Sequence, residues 1–281
     1  NYSRKRVEFT AKYSEVKWVD VKINKSTKRI DVTLWVNLKD GGEIGTEKDC
    51  TQVGSGQYSS IKTVCPWKKI PEKDIKRYGK PPIKSRTKSF KDLKQLALEG
   101  LSYHWGRNKN HSIAKNVDIN GELYKVFVNA INTTENAIAP LSTKFVTNGS
   151  PGRSRNWELS RILFYNVGFL FYNDWKSLNP NNPVFKNKGW YFENNDVEEF
   201  KMTSAHEIGH EILLKYGGHK YSKGHKGSSS IITQKSKNIP LPKQGEIDLM
   251  KYYDKYYDKQ RTVASQKDVL SLLWLTKLEL R

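Results

Sequence analysis

The sequence holds only 2 cysteines and 2 methionines, no apolar run near the ~18 residues that a membrane-spanning helix needs, and no signal-like apolar segment. The expectation is a chain with no transmembrane segment that does not export itself as it stands; because it begins at Asn1 without methionine, it reads as a piece of something longer. Two cysteines are too few for a disulfide-dense scaffold. Cys50 and Cys65 flank a Gly/Ser-rich loop, which suits one disulfide in an oxidising compartment and equally two free thiols. Acidic residues are scarce, 29 against 49 Lys and Arg, leaving a net charge of +20 that favours anionic partners. No five-residue cluster of Lys or Arg occurs, so the reading is a solvated lysine surface with no specific nucleic acid. No internal repeat is present.

What is there suits an α+β chain. With 281 residues and 12% aromatics it can bury a substantial core, as one large domain or two small ones. Residues 7–38 read as strands (VEFTAKY, VKWVDVKI, RIDVTLWVNL), with Ile30, Val32, Leu34, Val36 and Leu38 alternating and a turn at Asn24–Lys28, hence a small antiparallel sheet. Residues 39–64 look like loop, and 66–88, with Pro66, Pro71, Pro81 and Pro82 among lysines, like a linker or surface arm. Residues 1–88 are thus expected to form a β-rich region packed on a second part, 89–281. Ser89 caps a helix to Leu101 with Leu93, Leu96, Ala97 and Leu101 as its apolar face. After the turn Asn120-Gly121, Glu122–Ile131 alternates as a strand, either a core strand or an edge able to add an extended substrate. Residues 157–175 read as a core helix or two short elements, and Ser265–Leu280 as a closing helix.

The chemistry sits in Thr203–Gly218, which contains His206-Glu207-Ile208-Gly209-His210. Positions four apart share a helix face, so His206 and His210 can offer two ring nitrogens to one zinc ion, with Glu207 beside its open side. Asn195 is a fitting N-cap, Glu198 completes a capping box, Asp196 and Glu199 suit the first turn, and Gly217-Gly218 stops the helix. Met202, Ala205, Ile208, Gly209 and Ile212 make its apolar or small stripe. A catalytic zinc usually takes three protein ligands. Leu213 and Tyr216 stand where the metzincin pattern needs Gly and His, which excludes that branch. His219, His225, Glu246 and Asp248 remain, and Glu246 opens the run Gly245–Tyr253, whose spacing suits a second helix. Glu246 is the preferred third ligand and Asp248 a hydrogen-bond acceptor for a ligand histidine.

At HEIGHEIL, YSKGHKGSSSIITQ and GEIDLMKYY, spanning roughly 203–253, the sequence resembles the C-terminal metallopeptidase effector domain of VgrG spike proteins of the type VI secretion system. The resemblance implies a zincin-like fold, with an HExxH helix, a small antiparallel upper sheet and a helical C-terminal part. It also implies zinc held by His206, His210 and Glu246, and Glu207 as the catalytic residue. The protein would then be a secreted toxin cleaving a protein or peptide in the target cell's periplasm, attached to a spike portion of its own polypeptide and countered by an immunity protein. A Cys50–Cys65 disulfide would fit that compartment. His225, Tyr252 and Tyr253 are candidate donors to the oxyanion, while His219 reads as solvated. Two other classes stay open: a basic nucleic-acid-binding or nuclease module, and a non-catalytic domain stabilised by a closed zinc site.

Overall fold

The computed structural model describes residues 16–46, 51–53, 62–64, 75–78, 83–147, 154–172, 188–192, 195–223, 240–251, 253, 258–276 and 278–280. In chain order the elements are β1 (Val19–Asn24), β2 (Arg29–Val36), β3 (Leu38–Ile44), β4 (Thr51–Val53), β5 (Lys62–Val64), β6 (Ile75–Tyr78) and helix α1 (Phe90–Trp105). Next come β7 (Val117–Ile119), β8 (Glu122–Asn132), β9 (Leu141–Val146), β10 (Arg155–Trp157), β11 (Ser160–Asn166), β12 (Gly168–Tyr172) and β13 (Lys188–Phe192). Helix α2 (Asp196–Lys223), β14 (Ile247–Asp248), β15 (Thr262–Val263), α3 (Gln266–Leu273) and β16 (Leu278–Leu280) follow. The architecture is α+β, and no described helix is long and apolar enough to cross a membrane.

The β1–β2 hairpin forms where alternation and turn chemistry place it. Asn24 Oδ1 accepts from the Thr27 amide at 2.9 Å, and Ile30, Val32, Leu34 and Val36 are buried. The hairpin does not stand alone: β2 runs parallel to β8, from Arg29 opposite Lys125 to Val36 opposite Asn132, and β1 runs parallel to β16. The expected antiparallel sheet is therefore a mixed five-stranded one, ordered β16-β1-β2-β8-β7. Alternation marks a half-buried strand but carries no information about a partner far along the chain. The segment VEFTAKY lies outside the described residues.

Strands also replace other expected elements. Of the two readings of 157–175, the short elements hold: residues 157–172 supply the end of β10, β11 and β12 and no helix, as their aromatic and β-branched content allows. The loop at 39–64 contains β3 and the β4–β5 ribbon, and the supposed linker supplies β6, which pairs with β13. A second sheet is ordered β10-β11-β9-β3, parallel except for its antiparallel edge strand β10. Gly245–Tyr253 is not a second helix: Ile247 and Leu249 are buried on either side of Asp248, and β14 pairs with β15. The closing helix stops at Leu273, and the chain then joins the first sheet as β16.

Helix α1 starts at a capping box between Ser89 and Asp92 and buries Leu93, Ala97 and Leu101 as expected. It meets α2 at Gly100, where an added Cβ would overlap the Lys201 carbonyl oxygen, and the Trp105 indole donates to the Ala205 carbonyl at 3.1 Å. Val32 and Leu34 share one continuous core with Leu101, Ile208 and Leu272, so the β1–β2 hairpin packs together with both long helices and α3.

His104 on α1 is 2% exposed and hydrogen-bonds the Thr262 carbonyl at 2.7 Å through Nδ1. Burial is the main cause that holds its pKa at about 4. Unfolded, it titrates near ~6.5, so the unfolded chain takes up the proton first as pH falls. The neutral ring carries no penalty above ~6.5, and stability is lost between there and about 4, on the order of 3 kcal/mol. Burial lowers His111 in the same direction. Denaturant midpoints measured from pH 7 to 4 should fall across this window, and less steeply in His104→Asn.

Candidate metal centre

Helix α2 is buried on every side through its middle: His206, Glu207, His210 and Glu211 are buried along with the fully enclosed Ala205, Ile208 and Ile212. Its first hydrogen bond, from the Glu199 amide to the Asn195 carbonyl at 2.8 Å, falls where the capping signal placed it. Asp196 in the first turn accepts from the Tyr165 hydroxyl, a partner no local pattern announces. Gly209 lets the helix pass close to Trp105 and Met250; a Cβ there would stand 2.9 Å from the indole.

The two histidines face each other. Nδ1 of His206 is 2.7 Å from the Leu249 carbonyl oxygen, and Nδ1 of His210 is 2.9 Å from that of Ser222. A carbonyl only accepts, so both Nδ1 atoms carry hydrogen and both Nε2 atoms present lone pairs in the neutral rings. Those Nε2 atoms lie 3.2 Å apart. Two lone pairs at this distance repel, and a cation held between them relieves that repulsion. Tetrahedral zinc with Zn–N of ~2.0–2.1 Å separates two nitrogens by about 3.3–3.4 Å, so the pair fits such an ion.

The carbonyl for His210 arrives through a break in the helix. Twelve residues of straight α-helix would carry Ser222 about 18 Å along the axis from His210. Gly218, at φ 72° and ψ −175°, turns the chain back so that Ser222 also donates its hydroxyl to the His210 carbonyl. The sequence placed the stop here, and the structure adds a short helical continuation beyond it. This backbone conformation is open essentially to glycine alone. Gly218→Ala should cost about 1–3 kcal/mol of strain, or relax by releasing Ser222. The expected result is a lower melting temperature and weaker zinc binding by competition with a chromophoric chelator.

Above the helix, the Asn156 side-chain amide on β10 donates to the Glu207 carbonyl at 2.9 Å, tying the sheet edge to the motif. Arg161 on β11 reaches Glu211 at 3.4 Å. Sequence reading overlooked both residues; Glu211, directly after the motif and enclosed with it, was the signal available.

The other expected residues are distributed as follows. Glu246 pairs with Arg107, a fully buried guanidinium that also donates to the Asn116 and Ala264 carbonyls. Among the described residues no group of three His, Cys, Asp or Glu side chains is placed to hold a metal, so the structure does not bring Glu246 to the two histidines. Asp248 accepts from the Met250 amide at 3.0 Å, and its own amide donates to the Tyr253 hydroxyl at 3.3 Å. The acceptor from His206 is the neighbouring Leu249 carbonyl, where the sequence pointed to the Asp248 carboxylate. His219 lies on the helix beyond the Gly218 break. His225, Tyr252, Cys50 and Cys65 lie outside the described residues, although Thr51 and Val64, their neighbours, pair across the β4–β5 ribbon. No protein-family model, curated protein or solved structure matches this chain.

Proposed function

We propose that the chain is a zinc-dependent endopeptidase of zincin-like build. One observation carries the reading: two Nε2 atoms 3.2 Å apart on adjacent turns of a buried helix, each ring oriented by a backbone carbonyl behind it. The mostly parallel sheet with an antiparallel edge strand against α2 supports it. His206 and His210 would hold the ion, with Glu246 as the third ligand if its carboxylate exchanges Arg107 for the metal. A zinc ion held there would supply Lewis acidity for polarising a peptide carbonyl and acidifying water. Glu207, next to His206 in the helix, takes the proton from the attacking water and passes it to the leaving amine. His225 and Tyr252 are the proposed donors to the oxyanion.

The resemblance in 203–253 extends this to a type VI effector acting in the target periplasm, with a spike portion and an immunity protein as partners and a Cys50–Cys65 disulfide suited to that compartment. The test is metal content together with cleavage. Protein never exposed to chelator should carry one zinc per chain and produce new N-termini in an unfolded protein substrate, a reaction stopped by 1,10-phenanthroline and restored by zinc. No metal uptake ends the proposal. Zinc without cleavage makes the ion structural.

A further inference from the structure

A second candidate site lies away from the histidines, along β8. In the β2–β8 ladder the odd-numbered residues of β8 turn their peptide groups to β2: the Lys125 amide donates to Lys28 and the Thr133 amide to Val36. The even-numbered residues therefore turn theirs to the opposite edge. There Tyr124 is paired by β7 in antiparallel register, and Val126 exchanges both backbone hydrogen bonds with Arg107 at 2.9 Å. Val128 and Ala130 come next, and no described strand pairs with them.

This unpaired stretch is one wall of a cavity of about 490 Å³ lined by residues 127–130 and, across from them, by Gln95, Glu99 and Ser102 of α1. Gln95 and Ser102 lie roughly 140–160° around α1 from Gly100, the point where α1 meets α2, so the cavity is not the metal cleft. Tyr103 stacked on His111, with ring centroids 4.4 Å apart, lines it as well.

We propose that this groove binds an extended polypeptide segment as an added antiparallel strand, hydrogen-bonded to the backbone of Val128 and Ala130. The chemistry of the edge selects the occupant. The side chains of Val128 and Ala130 are buried in the core, but their peptide groups face the edge and offer an alternating row of amide and carbonyl groups that another extended backbone matches. The antiparallel pairing already present at residues 122–126 sets the direction. The opposite wall presents neutral hydrogen-bonding side chains, and the Glu99 carboxylate is engaged by Lys201 at 3.0 Å, so recognition runs through the main chain and not through a charge signature. The proposal goes beyond the metal reading and does not rest on it.

The experiment is amide hydrogen exchange on the chain carrying Glu207→Gln, so that cleavage cannot consume the probe, with and without reduced, carboxymethylated α-lactalbumin as an unfolded polypeptide. The amides of Val128 and Ala130 should exchange rapidly in the free chain and slow at least ten-fold with the probe, in zinc-loaded and zinc-free protein alike. Polyacrylate of similar length, an anion with no peptide backbone, should leave them unchanged. Ala130→Pro removes one edge amide without touching the β2 ladder, and Ser102→Trp fills the groove from the helix side. Each should weaken probe binding at least ten-fold while the chain melts as before. If Ala130→Pro does not fold, Ser102→Trp decides. The proposal is overturned if the two amides are already protected in the free chain, by its own residues or by dimer formation. It is equally overturned if polyacrylate protects them, or if a folded variant binds the probe as tightly as the parent. Protection that persists in a chain unable to bind zinc keeps this site while the metal reading falls.

Discussion

Glu207→Gln is expected to retain one zinc per chain and the parent melting temperature while hydrolysis drops by roughly 10²–10⁴-fold, the range for removing a general acid–base group. The side chain leaves helix α2 one residue after His206, about 100° around the axis, which puts it beside the histidine pair and not within it. Glutamine keeps the shape and loses the proton-accepting charge. Its backbone carbonyl, which holds Asn156, is unchanged. The measurement is a progress curve on an internally quenched peptide next to elemental analysis of the same sample. A variant that cleaves at the parent rate removes Glu207 from the mechanism. One that loses its zinc makes Glu207 a ligand.

His206→Ala and His210→Ala should each remove stoichiometric zinc, a larger loss than the ~10–100-fold expected for a change outside the ligand set. The pair acts as a unit: one imidazole alone leaves the ion half its protein nitrogens. Glu246 separates two structural accounts of the third position. If its carboxylate leaves Arg107 for the metal, Glu246→Gln loses zinc affinity by a comparable factor. If it stays on Arg107, zinc affinity holds and stability falls instead, because the change strips a buried guanidinium of its counter-charge. Asp248→Asn should lower affinity by less, ~10-fold, through the segment that delivers the Leu249 carbonyl to His206. Competition titrations with a zinc chelator, read together with denaturant midpoints, distinguish the outcomes.

Whatever depends on neighbours within a few residues was legible in the sequence. The start of α2 just after Asn195 and its break at Gly218, the Ser89 cap and apolar face of α1, and the β1–β2 hairpin with its Asn24 turn are products of helical or alternating periodicity and local turn chemistry. So is the placement of His206 and His210 on one face, four residues apart on a continuous helix. Tertiary structure decided what a residue meets when the chain returns from a distance. Residues 157–172 became strands because β9 was there to pair with β11, and Gly245–Tyr253 gave up a helix because β15 offered Ile247 a ladder. The same rule governs the centre itself. The histidines could be named from spacing, but the carbonyls of Leu249 and Ser222 that turn their Nε2 atoms toward each other could not. A backbone carbonyl has no sequence identity, and its position depends on the whole path of the chain between the two partners.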